Sequence, residues 1–276
     1  MTRYKLIGQA HLLRKAIFLN FINRLADCLS RLFSYVNYYF TSGRGETMKQ
    51  KVLVDPRHLI SLFKDGQKIL AGGFGISGTP LTIIDMIAES KVKGLHVVSN
   101  NLGDYGMGLH QLFIRGQIEK AIGSFFTINR EAVVAWSKGE LAIDLLPQGT
   151  LAEAIRCGGA GIGGFYTKTG VGTELAKGKE ERVIDGERYI FEKAIKGDIA
   201  IIRAKKADKL GNLVYHMTAR NFNPMMATAA NIVIAEVDEI VEIGEIDPEQ
   251  IVTPHVYVDY IIQTAYKKEG NQYVKQ

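Results

Sequence analysis

Gly73-Phe-Gly75-Ile-Ser-Gly78 is a G-x-G-x-x-G run, the spacing that cradles a dinucleotide pyrophosphate where a strand turns into a helix. That chemistry needs a second part, an Asp or Glu about 20 residues further on that accepts from a ribose hydroxyl. The corresponding stretch here, LHVVSNN, ends instead in two amides, Asn100 and Asn101. An amide donates as well as accepts, so this pair suits a carbonyl or carboxylate ligand as readily as a hydroxyl. Pro80, two residues past Gly78, follows a tighter turn than the dinucleotide fingerprint makes. Glycines at such a turn leave backbone N–H groups open to an anion or a developing oxyanion. Gly72 and Gly73 serve equally well to let helix and strand pack closely. The residues alone therefore leave a dinucleotide site, an oxyanion cradle and a structural turn in competition.

The elements that position these groups follow from hydrophobic period. KILAGG and LHVVSN are buried-strand runs, each followed by a helical pattern, TPLTIIDMIAES and MGLHQLFIRG, with Pro80 near the first helix start. KAIGSF, NREAVVAWSKGE, AIDLLPQG and TLAEAIRCGG repeat the alternation. Strand-then-helix units in succession predict an α/β fold, an open, mostly parallel, doubly wound sheet. From Gly158 the period is lost, and the glycine-rich run CGGAGIGGFYTKTGVGTE reads as loop. Asp185-Gly186 between RVI and ERYIF is a type I′ hairpin signal, predicting an inserted antiparallel hairpin subdomain. DIAIIRAKKAD, NLVYH and NIVIAEVDEIVEI resume strands, with NPMMATAA a helix between the last two. No polar linker interrupts residues 48–276, which read as one domain.

Residues 1–47 differ in kind. Apolar residues such as Leu12, Leu13, Ile17, Phe21, Leu25, Leu29 and Leu32 recur at helical spacing with basic residues between them. No uncharged run there is long enough to span a bilayer. A transit peptide, an interfacial helix and an upstream extension preceding a true start at Met48 are the competing readings. The last is preferred, because GRGET before Met48 would be encoded by purine-rich codons such as those of a bacterial ribosome-binding site. Cytoplasmic location is then expected, or mitochondrial if the segment is a genuine transit peptide.

Charge narrows the function further. The net charge is +5, but residues 1–47 hold seven of the 34 basic and two of the 29 acidic residues. The remainder is therefore neutral and lacks the basic surface that nucleic-acid binding requires. Cys28 and Cys157 form no CxxC pair, and the six histidines show no HxxxH or HExxH spacing. Neither a disulfide framework nor a metal site is expected, and the low cysteine usage fits a reducing compartment.

DGQKILAGGFGISGTP (65–80) resembles, position by position, the signature of the α subunit of family I coenzyme A transferases. The likeness continues through VVSNN, LLPQGTLAEAIRCGGAGIGGFYTKTGVGT, GNLVYHMTARNFNP and IVTPHVYVD, so it covers Met48 to about residue 262. The resemblance implies transfer of CoA between carboxylates by a ping-pong route through a glutamyl thioester, with the coenzyme A thioester as substrate and no permanently bound cofactor. It also implies a division of labour. The nucleophilic glutamate belongs to a Ser-Glu-Asn-Gly motif in a β subunit, and no such motif occurs in this chain. The nearest string, Glu242-Ile-Gly244, sits in an acidic context where a surface carboxylate is expected. The chain is thus expected to be inactive alone and to work in a heterotetramer or larger assembly.

By the same resemblance Gln148 matches the family's side-chain donor to the carbonyl oxygen, with a helix-capping role as the alternative, although Thr150 looks the better cap. Asn100 and Asn101 match the substrate-pocket amides. Gly73, Phe74, Gly75 and Gly78 of the glycine loop are expected to bind substrate, with Gly159, Gly161 and Gly163 lining the same pocket. Arg220, Asn221 and Asn223 match a block for which a buried structural network is expected. A non-catalytic ligand-binding module on the same sheet is the rival reading, since fold alone does not exclude it.

Overall fold

Short runs such as KILA and LHVV, too short for stable helices and ended by glycine or polar residues, become the middle of a sheet. The computed structural model describes residues 50–276 apart from Val54, Gly270 and Asn271; the 1–47 segment lies outside the described residues. The first half alternates as α1 (Pro56–Ser61), β1 (Lys68–Ala71), α2 (Leu81–Ala88), β2 (Leu95–Val98) and α3 (His110–Ile114). It continues with β3 (Ile118–Gly123), α4 (Arg130–Ser137), β4 (Ala142–Leu145) and α5 (Gln148–Gly159). A small antiparallel sheet follows from β5 (Gly164–Thr167), β6 (Glu181–Ile184) and β7 (Glu187–Lys193), ordered β5-β7-β6.

The chain returns to the main sheet as β8 (Gly197–Asp208), with β9 (Leu213–Val214) folding back antiparallel onto its end. After α6 (Asn223–Thr228) come β10 (Ala230–Val241) and β11 (Tyr260–Gln263). A separate hairpin, β12 (Tyr266–Glu269) and β13 (Gln272–Lys275), closes the chain. The main sheet runs β11-β10-β8-β1-β2-β3-β4, and every neighbour along that path is parallel. Strands are added outward from β1 to β4, and the chain then resumes on the other flank of β1 with β8. That reversal is a topological switch point, and a ligand crevice in such a sheet lies beyond the carboxyl ends of its strands.

Alternation along β1 shows why both faces are covered. Ile69 and Ala71 enter one core, packed with Ile83, Ile84 and Ile87 of α2, while Leu70 enters the other, with Leu151 and Ile155 of α5 and Met226 of α6. At the Asp185-Gly186 turn both residues have positive φ, 50° and 79°, the backbone a type I′ turn demands.

Two expectations need correction. The glycine-rich run is not all loop, because Gly164–Thr167 pairs with Ile190–Lys193 as β5. Gly159 ends α5 rather than opening a loop. A Cβ there would stand 2.1 Å from Thr228 Oγ1, so the missing side chain lets α5 meet α6.

Candidate functional site

The switch point is filled by the two segments singled out for chemistry. Gly72 follows β1, and its N–H donates to Ile201 O of β8 at 2.9 Å. Its glycine identity has a direct cause: a Cβ would fall 1.8 Å from Asn223 Oδ1. Asn223 is fully buried. Its Oδ1 accepts from the Arg203 N–H at 2.9 Å, and its Nδ2 donates to Gly78 O at 3.0 Å and Ala219 O at 2.9 Å. Asn221 holds the other end of the loop. Its Oδ1 accepts from the Gly73 N–H at 3.1 Å, and its Nδ2 donates to Ser77 O at 2.9 Å. Of the block expected to form a buried network, Asn223 is buried, Asn221 is partly exposed, and Arg220 is exposed at the end of the preceding 3-10 turn.

The glycine loop is therefore a clamped turn. Phe74 and Ser77 bond reciprocally through their backbones at 3.0 and 3.1 Å. Gly73 and Gly78 are buried, and a Cβ on Gly78 would stand 2.3 Å from Ala219 O. The open space bordered by Gly72, Gly73, Gly75, Thr79, Ser99, Asn100 and Asn101 is about 10 Å³, room for about one water and not for a pyrophosphate. Of the loop, Phe74 is half exposed and Gly75 partly so, which makes them the tip that a ligand can reach.

The amides stand beside that tip at the end of β2, and they are ordered by one another. Asn100 is 1 % exposed and Asn101 6 %. Asn101 Nδ2 donates to Asn100 Oδ1 at 3.2 Å, and Asn101 Oδ1 accepts from the Gly103 N–H at 2.9 Å. Asn100 Nδ2 donates to Ser124 Oγ at 2.9 Å and to Gln148 Oε1 at 3.4 Å. The last contact is long, but it turns the Gln148 oxygen toward Asn100 and its Nε2 donor away from it. Gln148 is exposed and opens α5. The helix is preceded by Pro147 with no side-chain cap, so neither Gln148 nor the buried Thr150 caps it. The uncapped first turn presents N–H groups and the positive end of the helix dipole. Gln148, Gly149, Ala152, Asn221, Phe222 and Met225 line a groove of about 240 Å³.

Gly159, Gly161 and Gly163 do not join this cluster. Gly159 is at the opposite end of the 12-residue α5 from Gln148, about 16 Å away along the axis, and Gly161 and Gly163 are exposed beyond it. Ser124, by contrast, was not singled out by sequence. Its position directly after β3, at a strand's carboxyl end, is the signal that could have found it. Its N–H and that of Phe125 donate to Asn100 O at 3.1 and 3.0 Å. Glu242 is paired with Lys209 and well exposed, away from these residues' linings. A larger cavity of about 610 Å³ touches the loop only at Ser77 and Gly78, and none of the three amides lines it. Among the described residues no group of side chains could hold a metal ion, and no helix is long and apolar enough to cross a membrane.

The clamped glycine turn lies beside hydrogen-bonded neutral amides, and residues 55–264 match the family model described as coenzyme A transferase. The chain belongs to the coenzyme A transferase family. This transferase chain is 49% identical over 221 residues to the A-type subunit of the probable succinyl-CoA:3-ketoacid coenzyme A transferase of Bacillus subtilis, covering 79% of itself and 92% of that protein. It is 42% identical to the alpha subunit of the acetate CoA-transferase of Escherichia coli, covering 80% of itself and all of that chain. Its fold is that of the acyl-CoA transferase of E. coli O157:H7, with a TM-score of 0.69 at 19% identity over 79% of this chain. It spans about half of that transferase, 48% of its length.

Proposed function

We propose that this chain is the α subunit of a CoA transferase that moves coenzyme A between a short-chain acyl-CoA and a carboxylate such as acetoacetate, acetate, butyrate or succinate. The observation that carries the reading is the neutrality of the site. Gln148 and the second N–H of Asn101 are free to donate to a carbonyl oxygen, the Asn100 amide being committed to Ser124 and Gln148, and no carboxylate lines their pocket or groove. The attacking glutamate comes from a β subunit bearing Ser-Glu-Asn-Gly, in a heterotetramer or larger assembly of the cytoplasm.

In the first step that glutamate attacks the acyl-CoA carbonyl, giving a mixed anhydride and CoA thiolate. The thiolate then attacks the glutamyl carbonyl, forming the enzyme thioester and releasing the first acid as its carboxylate. The incoming carboxylate reverses both steps, so the coenzyme is substrate and not a resident cofactor. Covalent catalysis divides one acyl exchange into easier displacements. Each displacement gathers negative charge on a carbonyl oxygen, which fixed donors stabilise. Gln148 suits this task because its amide stays neutral and donates a hydrogen bond without giving up a proton, and the uncapped start of α5 adds a positive potential beside it. Asn100 acts by orienting Gln148, Phe74 and Gly75 border the acyl group, and Gly73 and Gly78 hold the loop's shape.

The test is reconstitution. The purified chain should show no acyl exchange, and adding the partner chain should restore it with acetoacetate or a short fatty acid as acceptor. Full-speed exchange by the chain alone would overturn the reading, as would ligand binding without exchange in the mixture.

A further inference from the structure

Helix α2 begins directly after the glycine loop, yet the residue at its cap position, Pro80, has no side-chain acceptor. Its first turn therefore exposes N–H groups that need partners. Leu81 N–H is taken by Thr79 O at 3.0 Å. The next two come from far along the chain: Thr82 N–H and Ile83 N–H donate to Glu236 Oε2 on β10, at 2.9 and 3.2 Å. The other carboxylate oxygen, Oε1, accepts from Thr82 Oγ1 at 3.0 Å, Thr264 Oγ1 at 2.5 Å and Arg203 Nη1 at 3.2 Å. Glu236 is 0 % exposed. A carboxylate buried this completely costs stability unless donors surround it. Burial pushes its pKa up, and the Arg203 charge with the hydroxyl and N–H donors opposes that rise. Here every contact is a donor, none an acceptor, which is the environment of the ionised form.

Arg203 ties this cap to the rest of the loop. Its guanidinium bonds Glu236 and Asp238, the latter at 2.7 Å, and its backbone N–H is the one accepted by Asn223. One side of the residue thus fixes the start of α2, and the other fixes the clamp on Gly78. Both grips act where the loop runs into α2 and pass through a single residue of β8, while Asn221 holds the loop's other end.

We infer that Glu236 is a positioning residue: by capping α2 from β10, and through Arg203, it sets where the Phe74–Gly75 tip stands against Asn100 and Asn101. The effect on turnover rests on the proposed transferase reading; the effect on loop order does not. Glu236→Gln replaces one acceptor oxygen by an NH2 group facing donors, so part of the cap is lost while the shape is kept.

Two readouts decide it. Amide hydrogen exchange of the chain should accelerate in residues 74–84 by about 10- to 100-fold, the equivalent of losing one charge-assisted bond, with β2 and β3 unchanged. In the reconstituted enzyme kcat should fall about 10- to 100-fold from misplacement of the tip, with both KM values within about twofold (the split that a mere loss of folded protein would not give, once activity is normalised to folded protein by circular dichroism). Thr264→Val removes one donor and leaves the carboxylate otherwise capped. It should produce a smaller change of the same pattern, and it serves if the glutamine variant does not fold. Exchange that rises uniformly over the whole domain, or stays at the native level with native kcat, would overturn the inference. If the native mixture shows no exchange of CoA, the function proposal fails while the hydrogen-exchange readout still decides the role of Glu236.

Discussion

Asn223→Leu tests the clamp most directly. The side chain is fully buried and shares leucine's branched outline but is smaller, so the change deletes hydrogen bonds and also crowds the site. It orphans the Arg203 N–H, Gly78 O and Ala219 O, which now bond to Asn223 at 2.9, 3.0 and 2.9 Å. A buried backbone group left unpaired costs about 1–3 kcal/mol. Loss of three such partners, with overpacking cancelling any gain from added apolar burial, predicts a destabilisation of about 3–6 kcal/mol or more. Equilibrium unfolding in urea, followed by the far-ultraviolet signal, measures it as a lower midpoint at unchanged slope. Asn223→Asp is the informative companion. It keeps an acceptor for Arg203 but turns acceptors toward Gly78 O and Ala219 O. Protonation would restore one donor, so folding raises this aspartate's pKa above its usual value of about 3.9. The defect is then full at neutral pH and is relieved as pH falls through the raised folded-state pKa. A loss below about 1 kcal/mol for the leucine variant, or an aspartate variant no better at pH 5 than at pH 7, would refute the account of the clamp.

Further expectations can be checked in the same preparations. Gln148→Ala should lower kcat of the reconstituted enzyme by about two to three decades if its Nε2 serves the oxyanion; an unchanged kcat removes that role. Glu242→Gln should leave turnover unaffected and stability within about 0.5 kcal/mol, as expected of a surface partner of Lys209; loss of all activity would make it the nucleophile instead. Cys157 is 1 % exposed and burial pushes its thiol pKa up, so alkylation mapped by mass spectrometry should be slow at this site in the native protein and rapid in urea. Fast native labelling would show that α5 opens.

What was legible in the sequence was local. KILA and LHVV announce strands because their apolar runs are short and sharply bounded, and Asp185-Gly186 announces its hairpin because positive φ at both residues is tolerated there. The strand β5 was not visible, since Gly-Phe-Tyr-Thr is only partly buried throughout and its partner β7 lies more than twenty residues on. Gly159 looked like pocket lining for the same reason. A glycine that accommodates Thr228 is indistinguishable, in sequence, from one that accommodates a ligand. The three amides could be named as a set only through the resemblance. What joins them, the bond from Asn100 to Gln148, crosses from the end of β2 to the start of α5 and depends on the strand order. The cap on α2 is the extreme case, because Pro80 gives no hint that its acceptor waits on β10.

The clamp on the glycine turn is donated by residues about 145 positions downstream of what it holds. On a ribosome, then, the turn and its amides emerge long before the asparagines that shape them. A chain interrupted anywhere before Asn223 could assemble several strands and still present no ordered recess. Truncated products of synthesis would in this way lack the shaped loop that finished molecules carry.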